Sequence, residues 1–163
     1  SAYGDFLRGE PSRDPPLIVM TPTATDATLA PPGRHVVTVW AQWHPRELRD
    51  GDWDSNRERV GDELLAAVDR WAPGFSAGVV DKLVQTPLDL ERELGLYGGN
   101  VMHLESELDA MFAFRPLPGW SAYRTPHRGV YVCGASTHPG GGVWGASGRS
   151  AAGVVARDLR LRR

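Results

Sequence analysis

The chain reads as an α+β fold: antiparallel strands with covering helices, followed by a terminal strand that turns through glycines into a last helix. Three observations predict it. Two strand-like runs, Leu17-Ile18-Val19-Met20 and the alternating stretch from His35 to Trp43, are separated by turn residues. Between 55 and 71 apolar residues recur at helical spacing. The apolar run Gly129-Val130-Tyr131-Val132 then leads directly into CGASTHPGGGVWGASGRSAA. Repeats of 2 and about 3.6 residues are the two ways a backbone places apolar side chains on one face.

Taken in order, Pro15, Pro16 and Pro22 bound the first run, which as four consecutive apolar residues reads as a short buried strand. DATLAPPGRH is turn chemistry, so an antiparallel pair is the simplest connection to the second run. In that run Val37, Val39, Ala41 and Trp43 share one face. Val36, Thr38, Trp40, Gln42 and His44 share the other, a mixed face suited either to a partly exposed sheet surface or to the wall of a ligand cavity. Ser55 and Glu58 have the spacing of a capping box, after which Val60, Leu64, Val68 and Trp71 predict a helix that Pro73-Gly74 stops. Val79 to Gln85 reads as another strand. Thr86 then caps a short helix with Pro87 at its first position and Gly95 at its end. An amphipathic LESELDAMF and the irregular RPLPGWSAYRTPHRG lead to the strand at 129–133 and a final helix from about Val143.

At 163 residues, with 41% hydrophobic and 23% charged residues, the chain has the make-up of a globular fold that buries a core. A net charge of −2 offers no electrostatic attraction for nucleic acid or an anionic membrane. Arg157, Arg160, Arg162 and Arg163 are expected to complement the negative pole of the last helix. Cys133 is the only cysteine, so no internal disulfide forms, and a cysteine closing an apolar strand is expected to be buried and inert. No apolar run approaches the roughly 18–20 residues of a membrane span and the start lacks signal-peptide regions, so a cytoplasmic location is expected. The five histidines lack the paired spacing of HxxxH or HExxH, and no metal site is expected. Trp40, Trp43 and Trp53 suit either an aromatic-lined surface or core packing.

The glycine stretch carries the functional signal. A strand ending at Cys133-Gly134-Ala135 and passing through Pro139-Gly140-Gly141-Gly142 into a helix brings bare amides and a positive helix pole to one point, where an electron-rich ligand atom would be favoured. Gly145, Gly148 and Ala152 fall at i, i+3 and i+7, a smooth stripe for another backbone or a flat ring. The other reading of these residues is a turn and a helix that merely packs on a sheet. The pattern is neither GxGxxG nor a P-loop.

On these residues the chain resembles a known family. RPLPGWSAYRTPHRGVYVCGASTHPGGGVWGASGRSAA is similar to the C-terminal signature of the phytoene-desaturase-like FAD-dependent oxidoreductases of the flavin amine-oxidase superfamily, and GLYGGNVMHLESELDAMF is similar to the segment before it. The likeness covers residues 95–155. It implies that residues 1–128 form part of a substrate domain and 129–163 the terminal strand and helix of an FAD-binding domain, the N-terminal dinucleotide-binding part being absent. It further implies FAD as the cofactor of the complete protein, not retained by this chain alone, which would be inactive by itself. Gly134 and Ala135 would lie beside the ribityl or diphosphate portion; Gly142, Val143 and Trp144, with Gly141 in the same turn, would meet the pyrimidine end of the ring. His138 would act near the flavin or shape the turn, and His103 would face the cavity or satisfy a local hydrogen bond. The implied reaction moves a hydride from a C–C or C–N bond of a small apolar or amine-type substrate to FAD, or performs the related isomerisation. A cofactor-free oligomerisation module, or one chain of a split flavoenzyme, would use the same residues differently.

Overall fold

A computed structural model describes residues 1–160. It forms two compact units, Ser1–Gly99 and Asn100–Arg163, which meet in sequence at the Gly98-Gly99-Asn100 stretch. Among the described residues the fold is α+β with four α-helices and one two-stranded antiparallel sheet, fewer strands than the sequence predicts. Among the described residues no helix is long and apolar enough to cross a membrane.

The first unit opens with α1 (Ala2–Leu7), a helix for which the sequence shows no strong pattern, capped by Ser1, whose Oγ accepts the Gly4 amide at 3.3 Å. Strands β1 (Leu17–Met20) and β2 (Thr38–Ala41) pair antiparallel with Ile18 opposite Trp40 and Val19 opposite Val39, the pairing the turn residues imply. β1 is not the buried strand expected: Ile18, Val19 and Met20 are all exposed, because a two-stranded sheet supplies no further layer to cover them. β2 is shorter than the alternating run, and Trp43, with φ 62°, leaves extended geometry to pack edge-on against Tyr3 and Phe6 at 4.9 and 5.5 Å. Thr38 and Trp40 on the mixed face are exposed sheet surface.

Helix α2 (Trp53–Asp69) starts earlier than predicted. Its cap is Asp52, whose carboxylate accepts the Ser55 amide at 2.7 Å, so Ser55 is inside the first turn and the expected Ser55–Glu58 box does not form. Trp53 is buried and donates its indole N–H to the Pro45 carbonyl at 2.9 Å, which sets the entry of the chain into the helix. Val60, Ala67 and Val68 join Trp53 as its buried apolar residues, whereas Trp71 lies past the helix end and is 87% exposed. The Asp69 carboxylate accepts the Ser76 amide and hydroxyl, holding the chain as it turns away. Val79 to Gln85 is not a strand; among the described residues no strand pairs with it, and Val84 instead lies on α2 against Gly61. Helix α3 (Pro87–Leu94) follows its sequence signals closely. Thr86 and Asp89 form a reciprocal capping box, Pro87 opens the helix, and Gly95 ends it at φ 67°.

In the second unit, α4 (Ala146–Arg160) packs Ala151 and Val154 against Tyr123 and the half-buried Tyr131. The run at 129–133 is not a strand of a sheet. It makes one isolated bridge, Arg124 to Tyr131, inside a tight hairpin in which the Val132 amide donates to the Tyr123 carbonyl at 2.9 Å. A lone run cannot build a ladder without neighbours, and among the described residues it has none beyond this one. Arg124 at 2.7 Å and the Tyr131 hydroxyl at 2.9 Å fasten the hairpin to Asp158 of α4. Cys133 is exposed, not buried. The helix begins three residues later than expected because Val143 and Gly145, at φ 58° and 65°, are left-handed and cannot continue a right-handed turn. Gly145 therefore lies outside α4, and Gly148 and Ala152 are exposed, so the expected stripe is broken. Arg157 and Arg160 occupy the last turn of α4 as expected; Arg162 and Arg163 lie outside the described residues.

Candidate functional site

The loop between Cys133 and Ala146 is irregular because its sequence permits little else. Gly134, Gly140 and Gly142 take φ of 107°, 108° and 130°, conformations that a side chain would strain. Within it the Thr137 hydroxyl donates to the Gly134 carbonyl at 2.8 Å, and the Gly140 amide donates to the Thr137 carbonyl at 2.7 Å.

Three side chains pin this loop to the rest of its unit. Ser147, buried in the first turn of α4, accepts the Gly134 amide at 3.2 Å. The Tyr123 hydroxyl donates to the His138 carbonyl at 2.8 Å. Arg115 donates to the Ala135 carbonyl through Nη2 at 2.8 Å and Nε at 3.2 Å. The first two contacts join the loop to the Tyr123–Ala151–Val154 core, so its path is set by buried groups and not by the glycines alone.

Beyond these pins the amides of Gly141, Gly142, Val143 and Trp144 make no hydrogen bond within the described residues, and positions 142–144 are exposed. A Cβ on Gly134 or Gly145 would meet nothing within 4 Å. On Gly142 it would meet the indole of Trp144 at 3.3 Å, so that ring already covers one side of the residue. Trp144 also borders a groove of about 560 Å³ lined by Tyr123, Ala146, Arg149 and Val154 among others. Unpaired backbone amides in a glycine-rich turn are donors suited to negative or electron-rich atoms. The donor set thus fits the electron-rich edge of a flavin ring, with backbone amides as the donors; the helix pole assigned to Val143 lies instead at Ala146.

Of the two histidines, His138 is on this loop and half-buried. His103 is exposed on a separate left-handed turn, φ 64°, which its own amide closes on the Asn100 carbonyl at 3.0 Å. Ala135 and Gly141 are brought together, a Cβ on Gly141 falling 3.4 Å from the Ala135 methyl.

Sequence reasoning missed Arg115, which lies in the connector read as irregular. It is 4% exposed and donates to five carbonyls: Met102, Leu104, Glu105 and Ala110 at 2.8–3.4 Å, besides Ala135. It forms no ion pair among the described residues, and loss of hydration holds its pKa below the ordinary arginine value. The available signal was a single arginine within Met111 to Trp120, a stretch with no acidic residue.

No protein-family model matches the chain. It is 43% identical, over 98% of its length, to the pyridine nucleotide-disulfide oxidoreductase domain-containing protein 2 of Rattus norvegicus. It is 31% identical over 88% of its length to a lycopene-forming phytoene desaturase of a Paracoccus species, and 30% identical over 98% to one of the limonene dehydrogenase subunits of Castellaniella defragrans. In each case it spans only 28–30% of the relative's own length.

Proposed function

The chain belongs to the phytoene-desaturase-like oxidoreductases, and from that premise we propose that it is the C-terminal part of an FAD-dependent dehydrogenase or desaturase and holds one edge of the flavin ring. The observation that carries this reading is the run of unpaired amides from Gly141 to Trp144 on a loop pinned by Ser147, Tyr123 and Arg115.

The chemistry FAD would supply is acceptance of a hydride from a C–C or C–N bond, or the related isomerisation. The amides of Gly141, Gly142, Val143 and Trp144 stabilise negative charge at the electron-rich edge of the ring, because pre-placed dipoles need no reorganisation when charge develops. Gly134 and Ala135 give the ribityl or diphosphate portion a close approach to backbone. An imidazole at His138 or His103 serves as the group that receives or gives the proton that accompanies hydride transfer. The first carries the stronger case, being on the loop itself. Relatives named for phytoene and limonene support a small apolar substrate, with an amine as the alternative class.

The test is to purify the complete protein, identify the cofactor it releases on denaturation, and mix the protein anaerobically with alkene and amine candidates. FAD in the released fraction and bleaching of the flavin spectrum by a member of one class are expected. A protein that carries no flavin and takes none up contradicts the reading.

A further inference from the structure

Arg115 combines two properties that seldom occur together: burial and the lack of a carboxylate partner among the described residues. Its guanidinium has five N–H donors, and the five carbonyls it reaches use this capacity as no neutral side chain could. The carbonyls solvate the charge without cancelling it. An uncompensated buried cation is costly, and neutral donors or water satisfy carbonyls without that cost.

The position of the charge is specific. Nη2 and Nε grip the Ala135 carbonyl, and a Cβ on Gly140 would lie 3.9 Å from Nε, so the guanidinium lies against the loop at both ends of residues 135–140. The same Nη2 also donates to the Met102 and Leu104 carbonyls, which flank His103. One side chain therefore ties together the two segments that carry the candidate histidines and the free amides. A charge this poorly hydrated acts over a longer range than one in water.

We propose that Arg115 is a positioning residue for the bound flavin: its fork fixes the loop, and its unpaired charge favours the negatively charged, reduced form of the ring held there. This rests on the flavin reading of the loop. The two fail differently, since a wild-type protein without flavin refutes that reading at the outset, whereas this inference is decided among flavin-bearing variants.

The experiment measures the flavin midpoint potential and dissociation constant in the complete protein and in its Arg115→Met and Arg115→Lys variants. In Arg115→Met the reduced form should lose about tenfold in relative binding, read as a potential lower by about 30 mV for a two-electron couple. Arg115→Lys keeps the charge and loses the fork, so its potential should stay at the wild-type value while flavin binds about tenfold more weakly. An unchanged potential in Arg115→Met overturns the electrostatic role. Should that variant not fold, Arg115→Lys decides: weaker flavin binding at an unchanged potential supports the inference, and unchanged binding or a lowered potential overturns it.

Discussion

Gly61 lies in the middle of α2, where alanine would be favoured by about 1 kcal/mol on helix propensity. The packing reverses that preference. A Cβ at Gly61 would lie 2.5 Å from Val84 Cγ2, and overpacking of this kind costs about 1–3 kcal/mol. Gly61→Ala should therefore lower stability in urea unfolding, and Val84→Ala should relieve the loss in the double variant; simple additivity of the two changes would refute the contact. His44 behaves differently. Burial lowers its pKa from the ordinary 6.5, against weaker opposing effects of the Gln42 carbonyl and Glu63. Because the unfolded chain takes up the proton first, the stability that neutral His44 contributes is complete above pH 6.5 and is lost as pH falls from there toward the lower folded value. His44→Gln should flatten this part of the stability–pH curve; an unchanged slope would assign it to other groups. At this scale the local signals were legible: Thr86, Pro87 and Gly95 act within one helix and need no distant partner. Arg115 was not, since its partners are carbonyls up to 20 residues away, and carbonyls leave no trace in a sequence.

Elements were legible to the extent that their determinants are local. α3 appears as its residues predict, whereas α2 was placed late because Ser55 and Glu58 match a capping box that Asp52 pre-empts one turn earlier. Asp52→Ala should cost about 0.5–2 kcal/mol, the usual range for a lost N-cap. Ser55→Ala, which keeps the amide that Asp52 accepts, should change stability by less than about 0.5 kcal/mol, as checked by thermal unfolding of both. Equal losses would restore Ser55 as the cap. The runs at 79–85 and 129–133 show the converse. Their composition suits strands, but a strand exists only through its neighbours, and sequence period cannot say whether a neighbour is present.

For the whole molecule, the class of fold and the family were legible, because the likeness resides in a contiguous glycine-rich signature and the relatives match across 88–98% of the chain. The irregular glycine loop near position 142 was legible in the sequence, and the start of the helix was not, since the left-handed turns at Val143 and Gly145 delay it to Ala146. The pins on the loop also emerge only in three dimensions, because Ser147, Tyr123 and Arg115 approach it from separate parts of the unit. The most direct measurement is the flavin content of the complete protein as purified, compared with that of Gly142→Leu, each with circular dichroism to report folding. The account predicts stoichiometric FAD in the wild type and its loss from a folded Gly142→Leu variant, whose side chain displaces the Trp144 indole and blocks approach to the free amides. Full flavin occupancy in that variant would contradict it.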